Sequence, residues 1–436
     1  MRHGPLEAVL PGWIEPAHLF ASGGWPVWLD SGDGSGTSYL GLGHRVATAS
    51  VADGTITVDG ETSTGSLFDL LRTPARGSDE GFRLGWVGWL GYELRAATMG
   101  MPVEHDGSSP DAVLIFVDRA LAFDHANGTV RALALTPDAL VDVTARASVA
   151  ALPSLAKTAT TTAAWRYSDD QYLAMIRACQ AAITEGEAYQ LCLTNEVVVD
   201  IGPDPIATYL ALRAASPSHH GSFFSAAGIS LLSASPEQFL TVTPRGAIES
   251  KPIKGTRRRG STQSEDRELA EELQADEKER AENLMIVDLM RNDIARVSEV
   301  GSVSVPSLLH VESYPQVHQL VSVISGTLAA GLDPIDAVIA CFPAGSMTGA
   351  PKRRAIEILD GLERRKRGAY AGAFGYFGLD GRVDLAMVIR TIVLDADGCT
   401  VGAGGGITAL SVPAAELEEA KLKASALLAV LGVTSR

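Results

Sequence analysis

The sequence predicts an α+β chain. Short β-branched and apolar runs closed by tight turns recur through residues 1–150, and again on either side of Pro244-Arg245-Gly246 and Asp395-Ala396-Asp397-Gly398. Other stretches, at 168–186, 264–296 and near the C-terminus, space their apolar residues three and four apart. The first pattern is that of strands joined by hairpin turns, and the second is that of amphipathic helices.

The chain has 436 residues, enough for a large core and for two or three domains. Its 36 basic and 52 acidic side chains give a net charge of −16, spread along the chain rather than blocked. Such a charge repels nucleic acid and anionic membrane surfaces, so neither is expected as a partner. No uninterrupted run of about 20 apolar residues occurs, and the N-terminus lacks a basic region followed by an apolar one; a cytoplasmic protein is expected. Cys179, Cys192, Cys341 and Cys399 form no C-x-x-C pair and sit in apolar periodic segments, which suggests buried free thiols and no zinc site.

Residues 1–150 read as a β-rich region with strands at Val27–Leu29, Ser38–Leu42, Leu114–Phe123 and Val130–Leu135. Asn127-Gly128 supplies a hairpin turn, and the aromatic and glycine-rich run Gly85–Glu93 suits tight strand packing. Ala150–Ala164 is rich in Ala and Thr and reads as a linker to a second region, 165–436. Ser168 and Gln171 form a capping box before Tyr172, Met175, Ile176, Cys179 and Ile183, a helix ended by Gly186. In the strand that follows, Gln190 falls on the opposite face from Tyr189, Leu191 and Leu193.

The run Lys251–Gly260, K-P-I-K-G-T-R-R-R-G, concentrates the chemistry. A regular hairpin about the turn at 244–246 sets Glu237 opposite Lys254, with Cβ atoms roughly 5 Å apart, within reach of proton exchange. Lysine ordinarily titrates near about 10.4, so a nucleophilic Lys254 needs burial or neighbours such as Arg257, Arg258 and Arg259 to lower its proton affinity. By spacing alone the run reads instead as an exposed basic loop.

Residues 264–296 carry one long helical pattern with an apolar stripe of Leu269, Leu273, Leu284, Ile286, Val287 and Met290. Glu279 and Glu282 share a face there, as do Glu416, Glu419 and Lys423 on the C-terminal helix. Two pairs of carboxylates without His or Cys suit Mg²⁺, whereas ordinary helix salt bridges such as Glu419 with Lys423 give the same spacing. Arg390 is expected on a strand Leu385–Leu394 that pairs it with Ala403, leaving Gly404, Gly405 and Gly406 beside the guanidinium with open backbone N–H groups. A glycine-rich bulge gives the same pattern. Thr348 precedes a helix opened by Pro351, whose N-terminus can hold an anion.

Six motifs in order, S-P-E-Q-F, P-I-K-G-T-R-R-R-G, E-R-A-E-N-L-M-I-V-D-L-M-R-N-D, V-H-Q-L-V-S, F-P-A-G-S-M-T-G-A-P-K and A-G-G-G-I, closely resemble the chorismate-utilising enzymes. The resemblance runs from about Trp165 to the C-terminus. It implies an anthranilate-synthase-type fold in which two large antiparallel sheets form a sandwich with outer helices. P-I-K-G-T resembles the aminodeoxychorismate synthase component I branch, whereas anthranilate synthases typically carry alanine at the position of Lys254. The implied reaction joins chorismate and ammonia to give aminodeoxychorismate, a p-aminobenzoate precursor. Lys254 is then the nucleophile, Glu237 a general acid and His318, otherwise a core histidine, a proton-transfer group. Gly255, Thr256, Thr348, Tyr370, Arg390, Gly404, Gly405, Gly406 and Lys423 are implied to bind substrate. Glu282 and Glu419 would hold Mg²⁺ directly, with Glu279 and Glu416 acting through water. Gln190 stands where isochorismate and salicylate synthases have a water-activating lysine; its amide is no base, so water is disfavoured as nucleophile. Ser31 matches a serine of a tryptophan pocket, or is a surface-turn serine; Ser216–His220 departs from that pocket's usual N-P-S-P-Y. No cysteine has the setting of an amidotransferase nucleophile, so a separate glutamine amidotransferase partner is implied. The alternatives are anthranilate synthase component I, and an inactive subunit that binds a partner or tryptophan.

Overall fold

The computed structural model describes residues 4–73, 81–103, 109–148, 151–152, 162–200 and 202–433. Most of the linker expected at 150–164 lies outside them. Two twelve-stranded sheets stack face to face. The first runs from Leu6–Leu10 through Val27–Asp30 and His220–Ala226 to Thr391–Asp395, Gly398–Ile407 and Gln190–Val199. The second runs from Ile253–Arg258 and Val317–Thr327 through Gln238–Val242 and Val383–Met387 to Gly85–Leu90 and Ala112–Val117. Neighbours are antiparallel, so their side chains alternate between the two faces of each sheet.

That alternation builds the layers. Val27, Val113, Phe224, Leu231 and Phe374 fill the space between the sheets. The outer face of the first sheet is covered by Phe20, Val143, Tyr209 and Leu427, from helices Pro16–Ala21, Pro137–Arg146, Pro205–Ala215 and Pro413–Val430. The outer face of the second packs against Ile286 of Glu277–Ala295 and Val338 of Pro334–Cys341. The result is the expected α+β sandwich with outer helices, and both regions of the chain contribute strands to both sheets.

The capping box at Ser168 and Gln171 forms and starts the helix Asp169–Thr184. Gly85–Leu90 is buried throughout, and all four cysteines are buried. Two expectations fail because a local pattern cannot register a change of layer, and a third because one side chain caps a new helix. Leu114–Phe123 is not one strand, since Ala112–Val117 belongs to the second sheet and Arg119–Asp124 to the first. Likewise Leu385–Leu394 divides into Val383–Met387 and Thr391–Asp395, with the crossing between sheets at 388–390. The long pattern at 264–296 is two helices, Gln263–Ala275 and Glu277–Ala295. Asp276 breaks it with extended backbone, and its side chain caps the second helix through the Glu279 N–H. The new helix turns Leu284 outward, 43% exposed, rather than into the stripe.

Candidate active site

The hairpin about residues 244–246 forms, with Thr241 paired to Glu249 and Val242 to Ile248, but its second strand ends at Ser250. After Lys251 and Pro252 the chain enters a different strand, Ile253–Arg258, which pairs with Val317–Thr327 and sets Lys254 against Leu320. Glu237 is therefore not the cross-strand partner of Lys254. The two still meet electrostatically, because Glu237 is buried and Lys254 is largely buried in the same centre. Burial pushes the Glu237 carboxyl up to about 7, against the pull of Lys254, the Ser346 hydroxyl and the Ile253 N–H.

The three arginines do not face Lys254. Arg257 bonds Asp276 at 2.9 Å and Glu272 at 3.2 Å, Arg258 pairs with Glu265, and Arg259 holds Asp266 at 2.6 Å. Lys254 lies 3.8 Å from Glu282. Burial disfavours its charge, but Glu282, Cys192, Glu237 and Glu419 outweigh burial, so its pKa is raised, the reverse of the sequence expectation. Gly255 makes this placement possible. It sits at φ +78 in a bulge, where a Cβ would lie 2.8 Å from Leu273 and 3.0 Å from Glu279.

Glu279, Glu282, Glu416 and Glu419 come together from the helices Glu277–Ala295 and Pro413–Val430, above Gly405 and Gly406. A Cβ on Gly405 would stand 3.3 Å from Glu416 Oε2 and 3.9 Å from Glu419 Oε1, and one on Gly406 would stand 3.4 Å from Glu282 Oε2. Among the described residues no three acidic, His or Cys side chains stand at metal-ligand spacing. Each carboxylate instead has a basic neighbour. Lys278 is 3.0 Å from Glu416 and 3.8 Å from Glu282, Lys423 is 2.6 Å from Glu419, and Arg257 is 3.8 Å from Glu279. Burial, and then the charges of Glu416 and Glu419, raise the pKa of Glu282 while Lys254 and Lys278 lower it. Oxygen donors on two helices that repel one another fit a hard divalent cation such as Mg²⁺.

Arg390 does not pair with Ala403, which lies against Asn195. It occupies the crossing between sheets at φ +52, and its Nη1 donates to the Lys423 carbonyl at 3.1 Å. Burial lowers its pKa, and no carboxylate within ion-pair distance neutralises it among the described residues. With Thr256 and Gln319 it lines a cavity of about 180 Å³. The glycines clear that side of the first sheet for side chains: a Cβ on Gly402 would enter the Tyr370 ring at 2.2 Å, and one on Gly406 would meet Gln190 Nε2 at 2.0 Å. Gln190 is 1% exposed, and neither amide atom has a hydrogen-bond partner. Gly404 offers its carbonyl to Lys423 Nζ at 2.9 Å. Thr348 is buried in the turn before Gly349–Ala350, which pairs with Gln190 and Leu191, and the helix Lys352–Glu363 follows with no side-chain cap on its N-terminus.

The structure takes His318 out of this cavity. Its Nδ1 meets Ser313 Oγ at 2.8 Å and its Nε2 meets Asp266 at 2.9 Å, so the ring ties its strand to the helix Gln263–Ala275. Strand alternation gives the cavity position to Gln319, opposite Thr256. Ser31 is not a surface-turn serine: it is 7% exposed and lines a separate cavity of about 370 Å³ with Asp30, His219, His220, Tyr376 and Asp384. Burial holds His220 down to about 3, so that ring is neutral.

A second feature of the site was not legible beforehand. Arg367, 4% exposed, donates to Glu363, to the Met347 carbonyl at 2.7 Å and to the Cys192 carbonyl at 2.9 Å. It thereby fixes the turn before Thr348 against the strand of Gln190.

The structure thus brings a largely buried lysine, a carboxyl raised toward neutrality and two acidic helices together beside the antiparallel sheets. The chain belongs to the chorismate binding enzyme family, which matches residues 26–429. It is 45% identical to an aminodeoxychorismate synthase of Streptomyces griseus over 95% of this chain and 62% of that protein. It thus spans less than two thirds of that relative. It is 36% identical to anthranilate synthase component 1 of Thermus thermophilus, over 92% of this chain and 90% of the relative. The crystal structure of anthranilate synthase component I from Streptococcus pneumoniae superposes with a TM-score of 0.81 at 29% identity, covering 90% of this chain and 92% of that one.

Proposed function

We propose that this chain converts chorismate and ammonia to aminodeoxychorismate. The observation that carries the reading is Lys254, largely buried and coupled to Glu237 in one centre where the Glu237 carboxyl is pushed to about 7. The Streptomyces griseus relative supports the same product. Lys254, whose ammonium first passes its proton to the Glu237 carboxylate, attacks C2 of chorismate as the free amine while Glu237 returns that proton to the departing C4 hydroxyl, which leaves as water. Ammonia then attacks C4, the bond from C2 to the lysine nitrogen breaks, and the amine returns to Lys254. A carboxyl near about 7 is half protonated at neutral pH and so able to act as the acid.

Arg390 and the amides beside Gly404, Gly405 and Gly406 hold a substrate carboxylate. Gln190 offers its unpaired amide at the place where a basic side chain would activate water, and this favours ammonia over water. Glu282 and Glu419, supported by Glu279 and Glu416, would hold Mg²⁺, which when bound supplies charge neutralisation for these carboxylates and for a substrate carboxylate. Ammonia comes from a partner glutamine amidotransferase, because the four cysteines are buried with raised thiol pKa values and none is a ready nucleophile. Among the described residues no helix is long and apolar enough to cross a membrane.

The test is product identification from chorismate and ammonium, with mass spectrometry of the protein during turnover. An adduct on Lys254 that Lys254→Ala abolishes, together with loss of aminodeoxychorismate, is the expected result. Anthranilate as the main product of the unaltered chain would favour the other activity named among its relatives.

A further inference from the structure

Each of the four carboxylates has a cation within 4 Å, so a divalent ion that binds them competes with the resident cations. Lys254 is embedded on its strand with 14% of its side chain exposed. Arg257 is held by Asp276 and Glu272 as well as lying near Glu279. Lys423 is fixed twice, by Glu419 at 2.6 Å and by the Gly404 carbonyl at 2.9 Å. Lys278 differs. It stands in the first turn of the helix Glu277–Ala295, its side chain is 40% exposed, and its ammonium has partners only in Glu416 and Glu282 among the described residues. Four rotatable carbon bonds let it swing to solvent without moving the helix.

We propose that Lys278 is the counter-ion of the metal-free centre, which occupies the carboxylates of Glu282 and Glu416 and is displaced when Mg²⁺ binds. This rests on the Mg²⁺ reading above. Without the metal, the lysine keeps two buried carboxylates from repelling; with it, the same carboxylates turn to the ion and Lys278 moves outward. Lys278 is thus a positioning residue that sets the metal affinity by competition. It touches neither the reacting bond nor the cavity of Arg390.

The experiment is calorimetric titration of the substrate-free protein with MgCl₂, for the unaltered chain and for Lys278→Met, alongside thermal unfolding in chelator and in saturating Mg²⁺. The variant is expected to bind Mg²⁺ about five- to tenfold more tightly, in keeping with release from one half-exposed charge-assisted hydrogen bond. It should also unfold at lower temperature than the unaltered chain in chelator, a gap that closes in Mg²⁺. Equal or weaker Mg²⁺ affinity in the variant, with binding intact in the unaltered chain, overturns the competition and leaves the metal reading standing. Binding by neither protein overturns both. Lys278→Arg, which keeps the charge and both partners, should remain near the unaltered affinity, and a five- to tenfold tightening there would count against competition by charge.

Discussion

Glu237→Gln separates the acid role of this carboxyl from its structural one, because glutamine copies the neutral acid in shape. An ordinary glutamate titrates near 4.5, whereas burial places Glu237 at about 7. That difference corresponds to roughly 3 kcal/mol favouring the neutral form in the folded protein. The sign follows from proton counts. Below pH 4.5 the group is neutral in both states; between 4.5 and about 7 the unfolded chain has lost a proton that the folded chain retains, so stability falls as pH rises. Above about 7 the full cost is present and no longer grows. The variant carries no such cost, so its advantage should grow from near zero at pH 4.5 to roughly 3 kcal/mol by pH 8, about 3 °C in Tm for a chain of 436 residues. Thermal scans of both proteins at several pH values in that window, without substrate and in chelator, measure it. The same variant should lose most turnover at every pH, while kcat of the unaltered enzyme should rise up to about 7 and then level off, because the proton that Glu237 loses above that pH is offset by the growing free-amine fraction of Lys254, whose pKa is raised. A Tm difference that stays flat from pH 5 to pH 8 would refute the burial argument, and turnover rising through pH 8 would remove Glu237 as the acid.

Gln319→Leu should raise KM for chorismate with little change in Tm, since Gln319 lines the cavity with Arg390. His318→Leu should lower Tm instead, because it breaks the contacts to Ser313 and Asp266; steady-state kinetics and thermal scans distinguish the two. Arg390→Met should weaken chorismate binding by about 30-fold, the scale of one charge-assisted hydrogen bond, and direct binding measurements would expose an unchanged affinity. Gly402→Ala puts a methyl group 2.2 Å from the Tyr370 ring and should cost about 1–3 kcal/mol in stability while displacing that ring; a crystal structure with Tyr370 unmoved would argue against the close packing.

What the sequence determined by itself was local in origin. The Ser168 capping box, the turn at 244–246, the shared faces of Glu279 with Glu282 and of Glu416 with Glu419, and the apolar setting of the cysteines all depend on residues within a few positions of one another. Motifs in order carried the family and the sandwich. Tertiary structure alone decided which charges meet. Nothing local says that Lys254 faces Glu282 rather than Arg257, because the arginines are drawn off by the helix Gln263–Ala275 and by Asp276. Nor does it say that Arg390 stands where the chain passes from one sheet to the other, since an apolar run looks the same whether it stays in a sheet or leaves it. His318 and Gln319 are separated by a single residue step, but strand pairing sends one to a helix and the other to the cavity. Proton affinities depend on burial and on the charges that converge through space, and those are set only when distant strands and helices have packed.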